Sequence, residues 1–123
     1  MATIRTLTTR EDLDDLWERS RERPVWLFKH SLICGVSSRA LTAYRQYADG
    51  ERAAEMALIE IQPSRQLSIE VVRRTGVRHE SPQAILVSGG RPVFDASHWR
   101  ISAQAMARAC RELTSLSGAA TDA

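Results

Sequence analysis

The chain has 123 residues, a formal net charge of +2 and two cysteines. This length is enough for one domain with a hydrophobic core that needs no disulfide bonds. The charge is small and the arginines are scattered, which argues against nucleic acid as a partner. Two widely separated cysteines do not make the disulfide framework that is typical of small secreted proteins. No apolar segment approaches the ~20 residues of a membrane span, so we expect no membrane partner and a location in a reducing cytoplasm.

The first third of the chain predicts a strand, a helix and a second strand. Residues 2–7 form a weak strand candidate, and Thr8 and Glu11 have the spacing of a capping box. Apolar residues at helical spacing extend this first helix to about Ser20. Residues 25–29 are a continuous apolar run, which is typical of a strand buried on both faces.

A second helix, a third strand and a third helix follow. The apolar stripe that begins near Cys34 ends at residues 49–50, where Gly50 is free to adopt a left-handed cap. Residues 56–61 read as another buried strand. The next segment alternates like a strand, but Ser64 is a good N-cap and Gly76 a good stop. Because strands flank this segment, we predict a crossover helix.

The last third predicts a hairpin and a final helix. Residues 84–88 and 91–95 flank a Gly-Gly pair that suits a two-residue turn, and Pro92 indicates an edge strand. Ser102 is the expected N-cap of the final helix, with Ile101 and Met106 spaced as a hydrophobic staple. We expect one domain over residues 1–116 and a flexible tail over 117–123. The order βαβαβαββα predicts an α/β protein with a mixed sheet and helices on both faces, which is the thioredoxin-like arrangement.

Cys34 lies where the second strand gives way to the second helix. The first N–H groups of a helix lack partners and the helix dipole is positive there, so a thiolate is stabilised and can act as a nucleophile. The alternative is a small buried hydrophobe. Ser37 stands where a dithiol enzyme would carry a second cysteine, which predicts one-thiol chemistry. Its hydroxyl either caps the first turn or donates a weak hydrogen bond to the sulfur.

Other candidate residues are less decisive. Lys29 and His30 alternate along a strand, so at most one of them should face the sulfur, and the sequence does not choose. Cys110 lies in the apolar stripe of the last helix, where we expect a core residue rather than a resolving thiol. His79 is expected to be a loop residue. No Cys or His pair has the spacing of a zinc site, so we predict no metal.

The stretch from Thr75 to Arg91 resembles thioredoxins, through Thr75-Gly76-Val77-Arg78, Ser81-Pro82-Gln83 and Gly89-Gly90. The resemblance implies that Pro82 is cis and lies against Cys34. It also implies that the backbone of Ser81 is exposed to pair with a substrate peptide. Without this context Pro82 would read as an ordinary turn proline.

Four blocks together resemble the monothiol bacilliredoxin family of bacterial general-stress proteins. They are Lys29-His30-Ser31, Cys34-x-Val36-Ser37, Ser81-Pro82-Gln83-Ala84 and Ala96-Ser97-His98-Trp99. The resemblance implies an enzyme that removes the small thiol bacillithiol from mixed disulfides on client proteins, with bacillithiol as co-substrate and no cofactor.

Within that resemblance, His98 and Trp99 would receive the sugar or malate group of the thiol. The alternative is that Trp99 packs over the last helix and His98 is a surface residue. One departure stands out, because Gly35 occupies the position after the cysteine where the family usually has proline.

Two other functions remain open. The run Cys34-Gly35-Val36-Ser37 is also similar to the Cys-Gly-Phe-Ser signature of monothiol glutaredoxins, which carry an iron–sulfur cluster together with glutathione. The later glycine-aspartate block of that family is absent, which weakens this interpretation. The remaining alternative is a thioredoxin-like module that binds a partner without catalysis.

Overall fold

The computed structural model describes residues 4–50 and 54–122, with side chains as far as Leu113. The strands are β1 (Ile4–Thr6), β2 (Val25–His30), β3 (Glu55–Glu60), β4 (Gln83–Ser88) and β5 (Arg91–Ser97). The helices are α1 (Arg10–Arg19), α2 (Gly35–Asp49), α3 (Arg65–Thr75) and α4 (Ala103–Asp122), with a 3-10 turn at His98–Arg100. This order confirms the predicted βαβαβαββα arrangement, including the crossover helix α3.

The strands form one mixed sheet in the order β1-β3-β2-β4-β5. Strands β1 and β2 run parallel to β3, whereas β4 runs antiparallel to β2 and β5. All six residues of β2 are buried, as its unbroken apolar run predicts. Because β2 lies in the centre of the sheet, its carboxyl end delivers the chain to the middle of one sheet edge.

Helices cover both faces of the sheet, as predicted. On one face, α2 and α4 enclose a core that includes Trp26, Phe28, Tyr44 and Met106. On the other face, α1 and α3 enclose a second core, whose members include Leu13, Leu16, Leu27, Ile59, Leu67 and Val71. Even-numbered residues of β2 therefore face α2, and odd-numbered residues face α3. None of the helices in the described part of the chain has the length and hydropathy of a membrane span.

The capping box of α1 lies one residue later than predicted. The N-cap is Thr9, whose hydroxyl oxygen accepts from the Asp12 N–H at 3.1 Å, while the Asp12 carboxylate accepts from the Thr9 N–H at 3.1 Å. The predicted pair of Thr8 and Glu11 is therefore wrong. The spacing alone fits both pairs, but Arg5 at 3.2 Å holds the Asp12 carboxylate in place.

Glycines confirm two of the three predicted backbone bends. Gly76 ends α3 with a φ of 72°, and Gly89 and Gly90 have φ values of 62° and 77° in the hairpin turn. Gly50 does not adopt the predicted left-handed conformation, since its φ is −90°. Its N–H is shared between the carbonyls of residues 46 and 47, which closes α2 without a left-handed residue.

Strand β5 and the beginning of helix α4 agree with the predictions from the sequence. Strand β5 is an edge strand, as Pro92 indicated. The Ser102 hydroxyl accepts from the Ala105 N–H at 3.1 Å, and Ile101 and Met106 are both buried in the α2/α4 core. Helix α4 continues as far as Asp122, so the expected tail is helical up to that residue. Its flexibility stays a prediction.

Candidate active site

Cys34 is the N-cap residue of α2, directly after the loop that leaves the carboxyl end of β2. Its φ and ψ of −115° and 122° are extended, and its side chain is half-buried. The first turn of α2 holds no acidic residue. Cys34 therefore lies at the N-terminal end of α2, where the helix dipole is positive.

Ser37 joins the start of α2 to the end of β2 from within the core. Its buried hydroxyl oxygen accepts from the Ser31 N–H at 2.8 Å and lies 2.9 Å from Nδ1 of His30. The hydroxyl hydrogen is thus available to donate to His30. Within the described residues, no hydrogen bond joins Ser37 to the sulfur of Cys34, so the hydrogen bond considered from the sequence does not form. The hydroxyl instead fixes the loop that carries Cys34.

The structure resolves the choice between Lys29 and His30. His30 faces α2, where it contacts Ser37, and burial is the main cause that lowers its pKa. Lys29 faces α3, and its Nζ lies 3.2 Å from Nδ1 of His79. His30 therefore shares a face of the sheet with the helix of Cys34, whereas Lys29 does not. The contact with His79 was missed, because fifty positions of sequence separate the two residues and no local pattern links them.

The loop between β2 and Cys34 is held by a residue that the sequence did not single out. Gln62 accepts from the Leu32 N–H at 2.9 Å and donates to the Ser31 hydroxyl at 3.0 Å. Leu32 is exposed, and 85% of the Ile33 surface is open to solvent. The loop thus presents two apolar side chains directly before the cysteine. Gln62 lies in a loop after β3, so only the tertiary structure shows its role.

The proline loop reaches the same edge of the sheet. The Ser81–Pro82 peptide bond is cis, as the resemblance to thioredoxins implied. Gln83, the next residue, is paired with Lys29 in the register of β2 and β4. The Pro82 carbonyl accepts from the His98 N–H at 3.1 Å. The proline loop and the 3-10 turn therefore lie at the same end of the sheet as the carboxyl end of β2.

His98 and Trp99 lie in the 3-10 turn beside this edge. His98 has a φ of 56°, and its Nδ1 is 3.8 Å from the Glu80 carboxylate. Trp99 is 64% exposed and is covered on one face by Arg39, whose guanidinium carbon is 4.5 Å from the ring centroid. Trp99 thus contacts α2, and its stacking partner is not on the last helix. Arg39 is a second site residue that the sequence did not indicate.

Cys110 is a core residue, as predicted. It is buried on α4, and its sulfur accepts from the Tyr47 hydroxyl at 3.0 Å. Among the described residues, no group of three or more His, Cys, Asp and Glu side chains is arranged to hold a metal ion.

Comparison with known proteins agrees with this geometry. Residues 5–106 match the family model described as "Monothiol bacilliredoxin BrxC". A solved thioredoxin-fold protein described as a candidate oxidoreductase is 27% identical, with a TM-score of 0.79 over 86% of this chain and 92% of its own.

Two thioredoxins share the fold at low identity. That of Malassezia sympodialis is 10% identical, with a TM-score of 0.73 and 91% of each chain covered. That of Fasciola hepatica is 16% identical, with a TM-score of 0.72 over 89% of this chain and 98% of its own. The fold is thus thioredoxin-like, and the role in general terms is that of a thiol oxidoreductase. With a family model that spans most of its length, this chain belongs to the monothiol bacilliredoxin family.

Proposed function

We propose that this protein removes bacillithiol from mixed disulfides on client proteins, with Cys34 as its only reacting thiol. The observation that carries the proposal is the position of Cys34, half-buried at the start of α2 with no acidic residue in the first helical turn. That position leaves the sulfur accessible at the positive end of a helix dipole, where reactive cysteines are often found.

The reaction is a pair of thiol–disulfide exchanges. The Cys34 thiolate attacks the bacillithiol sulfur of the client's mixed disulfide, so that a new S–S bond forms and the old one breaks. The electron pair leaves on the client sulfur, which takes a proton from water. A second low-molecular-weight thiolate then attacks the bacillithiol sulfur on Cys34, releases a small disulfide and restores the Cys34 thiolate.

The surroundings of Cys34 support a one-thiol reaction. Ser37, at the place of a second cysteine, is fully buried and engaged with Ser31 and His30. Cys110 is buried in the core and accepts a hydrogen bond from Tyr47. Neither position offers an accessible thiol that would resolve the mixed disulfide from within the molecule.

The surface beside Cys34 suits a client protein. Leu32 and Ile33 are exposed apolar residues directly before the nucleophile, and apolar surface of this kind favours protein contacts. We propose that a client segment lies across these residues and that its backbone pairs with Ser81, next to the cis proline. The small thiol would then point toward the 3-10 turn.

Trp99, Arg39 and His98 suit the glucosamine-malate body of bacillithiol. The exposed indole offers an apolar face to the sugar, and the imidazole offers a hydrogen-bonding group. Arg39, stacked on the indole, is a guanidinium that matches a malate carboxylate. We therefore expect a preference for bacillithiol over glutathione.

The first experiment tests the nucleophile. A client protein that carries bacillithiol is incubated with the parent, Cys34→Ser or Cys110→Ser, and release of the thiol is followed by mass spectrometry. Cys34→Ser should abolish release, whereas Cys110→Ser should retain it. Loss of release in a folded Cys110→Ser variant would overturn the one-thiol mechanism. A visible absorbance of an iron–sulfur cluster after anaerobic purification would favour the glutaredoxin-like alternative.

The second experiment tests the small thiol. One client is prepared with either bacillithiol or glutathione, and the rates of release are compared in the parent, Trp99→Ala and Arg39→Gln. The parent should favour bacillithiol, and each variant should narrow the difference. Arg108→Gln, an exposed arginine on α4, serves as the charge-matched control and should keep the preference. Equal parental rates would contradict the specificity claim.

A further inference from the structure

Lys29 is a buried cation without a carboxylate partner. It is the single lysine among the 17 Lys and Arg residues of the sequence, and its side chain is 0% exposed. Burial lowers its pKa from 10.5 to about 8, so it is mainly an ammonium ion at pH 7. In the described part of the chain, its side-chain contact is with Nδ1 of His79 at 3.2 Å, and no carboxylate forms an ion pair with it. A buried charge of this kind is costly unless an anion lies close to it.

His79 connects Lys29 to a cavity on the α3 side of the sheet. The cavity has a volume of 440 Å³, within the range of small-molecule sites. It is lined by Ile61, Arg65, Ser68, Ile69, Val72 and His79. Three of these side chains are aliphatic, and none of the six is acidic.

The polar groups of the cavity are suited to an anion. The Ser68 side chain is 4% exposed, and its hydroxyl has no hydrogen-bond partner among the residues that the structure describes. With the Lys29 ammonium donating to Nδ1 of His79, the other ring nitrogen carries a hydrogen and is a second donor. Arg65 adds a positive charge to the lining. Two donors, Ser68 and His79, and the exposed Arg65 thus lie along one half-open apolar cavity, and Lys29 reaches that lining through His79.

We propose that this cavity binds a small monocarboxylate with an apolar tail. The carboxylate accepts from Ser68 and His79 and offsets the charge of Lys29, while the tail lies against Ile61, Ile69 and Val72. The cavity lies on the α3 face of the sheet, whereas the helix of Cys34 covers the opposite face.

Hexanoate is the probe, and the Cys34→Ser protein is used so that thiol reactions do not interfere. Calorimetry compares hexanoate with hexan-1-ol, which has the tail without the charge, and with acetate, which has the charge without the tail. Hexanoate should bind at least about tenfold more tightly than either. Equal binding of hexan-1-ol would overturn the anion assignment, and equal binding of acetate would overturn the tail pocket.

Two variants locate the site. Ser68→Ala should weaken hexanoate binding by at least about fivefold. Ser88→Ala, at the far end of β4, is the matched serine control and should leave it unchanged. Lys29→Met should bring the affinities for hexanoate and hexan-1-ol together. Unchanged hexanoate binding in folded Ser68→Ala would refute the proposal.

The single lysine also provides a direct readout. Lysine labelled with 13C at Cε gives one resonance from this chain, and its titration follows the Lys29 ammonium. Hexanoate should move that titration to higher pH, because a bound carboxylate stabilises the ammonium. Binding that leaves the titration where it was would mean that the ligand lies elsewhere.

Discussion

Ser37 shows how one buried hydroxyl can position a reactive residue that it does not touch. It accepts from the Ser31 N–H and contacts His30, so it ties the turn before Cys34 to the first turn of α2. The serine in place of a second cysteine thus has a structural task, whichever thiol chemistry the protein performs.

Replacement of this hydroxyl should destabilise the fold. Ser37→Ala leaves the buried Ser31 N–H and His30 Nδ1 without their partner, which should cost about 1–3 kcal/mol of unfolding free energy. Urea unfolding of Ser37→Ala and of Ser38→Ala measures the difference. Ser38 is the exposed neighbour in the same turn, and its substitution should change stability by less than about 0.5 kcal/mol. Similar midpoints for the two variants would disprove this role of Ser37.

At the scale of elements, the helix of Cys34 begins with an unusual residue. The family usually has proline where this chain has Gly35, the first residue of α2. A Cβ built on Gly35 meets no atom within 4 Å, so a larger residue fits. The preceding residue has a φ of −115° and a ψ of 122°, which is the conformation that a residue before proline prefers.

Gly35→Pro should therefore stabilise the protein. Proline suits the first position of a helix, and it restricts the unfolded chain, so a gain of about 0.4–1 kcal/mol is expected. Thermal unfolding of the parent, Gly35→Pro and Gly35→Ala measures this gain. The alanine variant shows how much of the gain comes from removing glycine and how much from the proline ring. A lower melting temperature for Gly35→Pro than for Gly35→Ala would show that the first turn rejects proline.

The elements were largely predictable because their signals are local. The apolar run of β2, the Gly-Gly turn and Ser102 each act over a few residues, and each was confirmed. The capping box was misplaced because adjacent threonines and adjacent acids fit the same spacing, and a tertiary contact from Arg5 decides between them. Gly50 was misjudged because a left-handed cap is one of several ways to end a helix.

The site was predictable only in part, because some of its residues have local sequence signals and others are brought together by tertiary contacts. Cys34 and Pro82 have neighbours in sequence that reveal them. The contacts of Lys29 with His79, Trp99 with Arg39 and Leu32 with Gln62 join distant segments. No pattern along the chain specifies such pairs, so the sequence left Lys29 and His30 undecided and did not indicate the three partners.

For the whole molecule, the buried lysine sets a dependence of stability on pH. The Lys29 pKa falls from 10.5 in the unfolded chain to about 8 in the fold, because burial disfavours the charged form. Between these values the unfolded state binds more protons than the native state. The free energy of unfolding is therefore highest above pH 10.5, where Lys29 is neutral in both states. It decreases as the pH falls from 10.5 toward and through 8, because the buried lysine becomes charged.

Lys29→Met should remove this dependence at similar side-chain volume. The gain in unfolding free energy over the parent should be larger at pH 7 than at pH 10.5, by an amount on the order of 3 kcal/mol. Urea unfolding of Lys29→Met and its parent, both with Cys34→Ser, measures the difference at each pH. The same gain at both values would mean that Lys29 is not desolvated in the fold.

The position of Lys29 on the central strand has a practical consequence for proteolysis. A protease that cuts only after lysine has a single target in this sequence, the bond between Lys29 and His30. That bond lies in β2, between β3 and β4, where both neighbours must separate before a protease can bind it. Fraying at the helix ends or at the hairpin would leave it protected. When opening is fast relative to cleavage, the rate of this one cut therefore reports how often the whole sheet opens under native conditions.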